Sequence, residues 1–122
     1  MDNSILLCIK KLLGLSEDYK PFDAEIITHI NSVLMTLAQL GVGPAVPFRI
    51  NGVVETWEDW LGEDASRYQG VESYIYFKVK LMWDPPASSA ILDSMNRTIQ
   101  EFEWRLNANY ETPEDELVSK DN

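Results

Sequence analysis

Between Val71 and Leu106 the chain reads as two helices parted by Asp84-Pro85-Pro86, and the first of them is apolar on nearly every side. At 100° per residue, Val71, Tyr74, Ile75, Val79 and Met82 cover one broad arc, Tyr76 and Trp83 lie on another side, and Phe77 and Leu81 close a third. Ser73 and Lys80 leave only a narrow polar strip. Lys78 falls inside the apolar arc, where its stem packs while its ammonium reaches outward or meets a carboxylate. A chain of 122 residues builds one core and has little left to cover such a helix from every direction. Neighbouring copies or partners are therefore expected to cover part of it.

The second of these helices is cleanly amphipathic. Ser88 or Ser89 supplies its cap, and Ile91, Leu92, Met95, Ile99, Phe102 and Leu106 form a single stripe. Arg97, Glu101 and Arg105 stand on the far side at the spacing of i,i+4 ion pairs, each worth ~0.3 to 0.5 kcal/mol. Trp104 breaks the pattern by projecting among Asp93, Arg97 and Ala108, opposite the stripe.

Upstream, Asn3 or Ser4 caps a short helix that ends near Gly14, with Ile5, Cys8, Ile9, Leu12 and Leu13 on one side and Lys10 and Lys11 in the last turn, where the helix dipole favours cations. Asp23 reads as the next cap, with Phe22 packing on Ile27 as a hydrophobic staple. Ile26, Ile30, Val33, Leu37 and Leu40 then repeat at helical spacing until Gly41. From Gly41 to Glu55 the helix breakers Gly43, Pro44 and Pro47 accumulate, and Phe48-Arg49-Ile50 and Val53-Val54 flank Asn51-Gly52. That arrangement reads as a small hairpin on a type I′ turn, leaning on the helices or on a neighbour. Thr56-Trp57-Glu58-Asp59 has the spacing of a capping box opening a short helix stopped by Gly62, with Trp57 and Trp60 on one face. The helix that is apolar on nearly every side begins near Arg67 to Val71. Beyond Glu111 the chain is acidic and poor in apolar residues, although Thr112-Pro113-Glu114-Asp115 carries a helix-start signal. The expected fold is all-α, a small helical bundle of about four main helices plus a short one, with a small β-hairpin or loop insertion around residues 46–55. Residues 1–110 form a single helical domain, and residues 111–122 an acidic tail, mobile or ordered on a partner.

Composition narrows the function. A hydrophobic content of 45% supports a packed globule. Twenty acidic against ten basic side chains give a net charge of −10, which opposes a nonspecific grip on phosphate backbones or anionic lipid. A wall past which DNA slides has this sign of charge, and so does a protein that imitates DNA. The apolar stretch Ile5 to Leu15 is too short to span a bilayer and lacks the flanks of a secretory signal, so an intracellular protein with no membrane partner is expected.

No constellation for chemistry emerges. Cys8 is the only cysteine and shares a face with apolar residues, as a small core side chain would. His29 is the only histidine, at the edge of a helix stripe, without the additional ligands that a metal needs or the oriented partner of a general base. Glu58-Asp59 and Glu63-Asp64 suit solvated surface, and Gly41-Val42-Gly43-Pro44 lacks the spacing and lysine of a phosphate-cradling loop. No catalytic, cofactor-binding or metal residues are therefore assigned, and no enzyme is expected. What remains is surface for protein contact. Trp104 is its sharpest instance, because tryptophan and arginine dominate interface energetics, with Arg97 and Arg105 beside it. Tyr76, Trp83, Thr112, Pro113, Leu117 and Val118 are the further candidates. Equally, the tail or the hairpin could fold over Trp104 within one subunit.

Several strings carry a family likeness as an ordered series: Ile9-Lys10-Lys11-Leu12-Leu13-Gly14, Phe22-Asp23-Ala24-Glu25-Ile26-Ile27, His29-Ile30-Asn31-Ser32 and Gly41-Val42-Gly43-Pro44. Thr56-Trp57-Glu58-Asp59-Trp60-Leu61-Gly62, Ser73-Tyr74-Ile75-Tyr76-Phe77-Lys78-Val79-Lys80, Asp84-Pro85-Pro86, Ser94-Met95-Asn96-Arg97 and Glu103-Trp104-Arg105-Leu106 continue it. Over most of residues 5 to 108 the chain thus resembles the phage head-tail connector (adaptor) family. The resemblance implies a helical virion protein at the head-tail junction, assembled in the host cytoplasm as a homo-oligomeric ring, usually twelvefold. The portal docks on one side and a stopper or tail component on the other, DNA passes through the channel without specific binding, and the family has no catalytic site or cofactor. The alternative from the charge is an acidic DNA-mimic inhibitor of a nucleic-acid enzyme, but the carboxylates are scattered between helices and tail.

Overall fold

The computed structural model describes residues 3–63 and 70–121, with side chains as far as Leu106. Among the described residues five helices follow one another: α1 (Ile5–Leu12), α2 (Asp23–Gln39), α3 (Trp57–Leu61), α4 (Val71–Trp83) and α5 (Ser89–Asp121). Among the described residues there is no strand, only an isolated antiparallel bridge between Ser4 and Thr56. The protein is an all-α bundle.

The helix ends follow local chemistry. Ser4 Oγ accepts the Leu7 N–H at 3.3 Å to cap α1, and Ser88 Oγ accepts the Ile91 N–H at 3.3 Å to cap α5. Thr56 and Asp59 form the complete capping box of α3. Gly41, at φ +92°, closes α2: its N–H reaches the Ala38 carbonyl, and the next N–H, of Val42, reaches back to Leu37 at 2.8 Å. Gly14, at φ +85°, ends α1 in the same way, with the Leu15 N–H on the Lys10 carbonyl.

The α4 helix lies at the centre, packed against α1, α2 and α5. Val71, Tyr74, Ile75 and Val79 are buried in a core shared with Ile26, Ile30, Val33, Leu34 and Leu37 of α2 and Ile99 and Leu106 of α5. Tyr76, Phe77, Leu81 and Trp83 pack half-buried against that core, and Met82 is the α4 apolar residue left exposed. The cover that the sequence assigned to other copies comes largely from the chain itself, because α5 turns Ile99, Phe102 and Leu106 of its stripe toward the shared core, while Ile91, at the head of the expected stripe, is 54% exposed.

Four local expectations are corrected. The buried side of α1 is Ile5, Leu6, Ile9 and Lys10, while Leu12 is 43% exposed. Lys10 is fully buried because its ammonium finds Asp23 Oδ1 at 2.9 Å and the Glu17 carbonyl at 3.1 Å, which offset its desolvation. For the same reason Asp23 is not a cap: α2 begins at Asp23 behind Phe22, without a side-chain cap, and the Phe22 ring lies tilted against Tyr19 and edge-on to Trp83. Residues 46–55 form a loop and not a hairpin. The Asn31 amide donates to the Ile50 carbonyl at 2.9 Å and accepts its N–H at 2.7 Å, so an α2 side chain takes the place of a strand partner. The Glu55 carboxylate binds the Asn51 and Gly52 N–H groups, and neither residue takes the positive φ of a type I′ turn. Finally, the backbone of α5 runs unbroken past Thr112-Pro113, since extending a helix already nucleated at Ser88 is easier than starting another. The start of α4 near Arg67 falls partly outside the described residues.

Replacing Asn31 with Ala leaves both backbone groups of Ile50 buried without partners and should cost about 2–4 kcal/mol, read as a lower urea midpoint. Gly43 and Gly14 make a matched pair. Both have positive φ, but a Cβ at Gly43 would lie 2.4 Å from Trp60 Nε1, whereas at Gly14 it meets nothing within 4 Å. Gly14→Ala should cost about 1 kcal/mol, and Gly43→Ala about 2–4 kcal/mol, in the same denaturation experiment.

Candidate functional site

The rotation of α5 about its own axis decides what the outside of the bundle presents. Tyr74, buried on α4, donates its hydroxyl to Glu103 Oε2 at 2.7 Å, and Lys78 Nζ stands 4.0 Å from the same carboxylate and 6.0 Å above the Tyr74 ring. Phe102 lies 5.1 Å from that ring and against Gly70, where any Cβ would come within 2.5 Å of it. Burial first, then the hydrogen bond and negative charge of Glu103, push the Tyr74 phenol well above its ordinary value. These contacts pin the face of α5 that bears Ile99, Phe102 and Glu103 inward.

The opposite face is therefore turned outward. Trp104 is 70% exposed. Arg97, two helical turns before it, is exposed, and among the described residues Arg105 pairs with Glu101, at 3.2 Å in the same helix. The described loop residues 46–55 leave Trp104 uncovered, and the tail side chains that could otherwise fold over it lie outside the described residues. Trp83 is half-buried, edge-on to Phe22 at 5.3 Å, and Tyr76 is half-buried against Phe77 at 5.4 Å. Thr112, Pro113, Leu117 and Val118 lie on the C-terminal part of α5, and their side chains are outside the described residues.

Two exposed apolar groups escape sequence reasoning. Tyr19 and Phe22 join Trp83 in an aromatic chain, each ring 5.3–5.9 Å from the next; the signal was two aromatics in an otherwise polar link. Val46, Val53 and Val54 are exposed at 79%, 49% and 80%, because the loop spends its polar contacts on Ile50 and Glu55 and leaves these side chains outside.

Cys8 is half-buried and accepts the Trp57 indole N–H at 3.4 Å. His29 Nε2 stands 4.0 Å from Glu25. Among the described residues no three His, Cys, Asp or Glu side chains gather as a metal site, and no helix is long and apolar enough to cross a membrane. A cleft of about 190 Å³ between α4 and α5 is lined by Tyr74, Phe77, Ile99 and Phe102 with Ser73, Thr98 and Arg105 at its edge. It brings together one cation and aromatic rings. What the outside of the bundle offers is contact surface.

The Tyr74 phenol links this joint to alkaline stability. A phenol held protonated by the fold contributes stability that is fully present below the unfolded tyrosine value of about 10 and is lost as pH climbs toward the raised folded value. Unfolding free energy should fall above about pH 10, and Tyr74→Phe should flatten that fall while costing about 1 kcal/mol at neutral pH. Urea denaturation at pH 7 and in the alkaline range measures both.

A family model described as phage connector protein matches residues 5–113. No curated protein and no solved structure matches the chain. The match begins at the first residue of α1 and ends within α5, and so takes in the whole packed core and the Trp104 face. The chain belongs to the phage connector protein family, a structural component of phage particles.

Proposed function

We propose that this chain assembles into a homo-oligomeric ring, twelvefold as is usual for head-tail connectors, between the portal and a stopper or other tail-side protein, and that DNA crosses the channel without being gripped. The observation that carries this reading is Trp104. A tryptophan left 70% exposed on a pinned helix is surplus to the bundle, and with Arg97 and Arg105 beside it has the composition of an interface centre. Tyr76 and Trp83, half-buried in one chain, complete their burial in the assembled ring.

Charge supports the channel. With a net charge of −10 the protein repels the phosphate backbone, so DNA can move past it without the counterion release that drives adhesion. The C-terminal part of α5, with Thr112, Pro113, Leu117 and Val118, extends the helix beyond the stripe that packs on α4. It serves as the segment that orders on the portal. Assembly takes place in the host cytoplasm, and the product resides at the head-tail junction of the virion.

Trp104→Ala tests the reading. Because the side chain contributes little to the core, the variant should keep the wild-type melting temperature within a few degrees, roughly a ΔΔG below 1 kcal/mol. Its assembly on portal rings, followed by sedimentation velocity, should weaken at least tenfold, about 1.4 kcal/mol or more. An unchanged assembly profile would remove Trp104 from the interface.

A further inference from the structure

The α5 outer face has a chemical complement elsewhere on the same chain. Segment 51–63 carries four carboxylates, Glu55, Glu58, Asp59 and Glu63, and no lysine or arginine. Two of them work internally: Glu55 holds the Asn51 and Gly52 N–H groups, and Asp59 closes the Thr56 capping box. Glu58 and Glu63 are exposed, and among the described residues neither has an ion-pair partner. Immediately before them stand Val53 and Val54, exposed at 49% and 80%. The segment thus presents a bare apolar tip followed by two free carboxylates.

The α5 face presents the converse: a bare indole with the Arg97 guanidinium in its own helical row and that of Arg105 a quarter turn away, at the edge of the α4–α5 cleft. Arg97 has no ion pair among the described residues, and Arg105 has only its exposed, solvent-screened contact with Glu101. Asp93 and Glu101 on the same face bring its sum to zero, which makes it neutral ground in a chain with twice as many acids as bases. Within one molecule the two surfaces are held by different parts of the bundle. The α5 helix is packed on α4, whereas the entry to α3 is fastened to the start of α1 by the Ser4–Thr56 bridge and the Trp57–Cys8 hydrogen bond.

We infer that the Val53–Glu63 segment of a second copy docks on the α5 outer face, its valines against Trp104 and its Glu58 and Glu63 toward Arg97 and Arg105. This rests on the ring reading above and gives it a polarity: two different surfaces meet, so the contact is heterologous and propagates around a ring instead of closing as a two-fold dimer. Wet charged contacts at the rim steer and orient the encounter, while the covered indole supplies most of the affinity. The contact should accordingly weaken as salt rises.

Complementary charge reversal tests it. Two full-length variants, Arg97→Glu with Arg105→Glu, and Glu58→Lys with Glu63→Lys, change only exposed side chains, and circular dichroism checks that each remains folded. Each alone should assemble on portal rings at least tenfold more weakly than wild type by sedimentation velocity. Mixed in equal amounts they should recover assembly, because in an alternating ring every acidic segment again meets an arginine face. If either folded variant alone assembles like wild type, or if the mixture fails to recover, this docking is wrong while the ring stands. If wild-type protein itself forms no ring on the portal, the underlying reading fails as well.

Discussion

Burial of α4 is the constraint on which the rest of the structure depends. A helix with apolar residues on three sides cannot stay in water, and α1, α2 and α5 close around it, with α2 making the most extensive packing. Everything else serves that enclosure. The turns at Gly14 and Gly41 end α1 and α2 abruptly enough for the chain to return. The Lys10–Asp23 pair ties the end of α1 to the start of α2 inside the bundle, and Asn31 fastens the long loop to α2 so that Ile50 joins the core. Removing one partner of such a buried pair leaves an uncompensated charge or backbone group, a far larger penalty than the pair's own net worth.

The same enclosure determines what is left for function. Because Tyr74, Phe102 and Glu103 lock α5 in one rotation, the residues opposite have no alternative inside the molecule, and Trp104 must face outward. Open apolar ground therefore lies on the bundle's outer surfaces and little of it on α4. The interior helix is served by its own chain, while Trp104, the loop valines and the Tyr19–Phe22–Trp83 aromatics remain open. The chain thus divides its apolar surface between a core that holds one copy together and separate ground that stays open.

Much of this was legible in the sequence because it depends on short-range chemistry. The capping box at Thr56–Asp59, the stop at Gly41, the break at Asp84-Pro85-Pro86 and the stripe of α5 each follow from residues a few positions apart. The outward Trp104 was also readable, as a large apolar residue out of phase with its helix. The errors fall where distant groups compete. Lys10 looked like a dipole partner at a helix end and became a core residue because Asp23 and the Glu17 carbonyl wait for it. Asn51-Gly52 looked like a hairpin turn, but Glu55 and Asn31 satisfied the backbone first. Asn31 and Asp23 come from another element, and no local pattern announces them.

Electron microscopy of the purified protein mixed with its portal tests the central claim most directly. The account predicts closed rings of this chain stacked on one face of the portal, with the Trp104 face of each copy covered by the next. Particles of bare portal beside unassembled monomer, together with absence of the protein from mature virions, would contradict it.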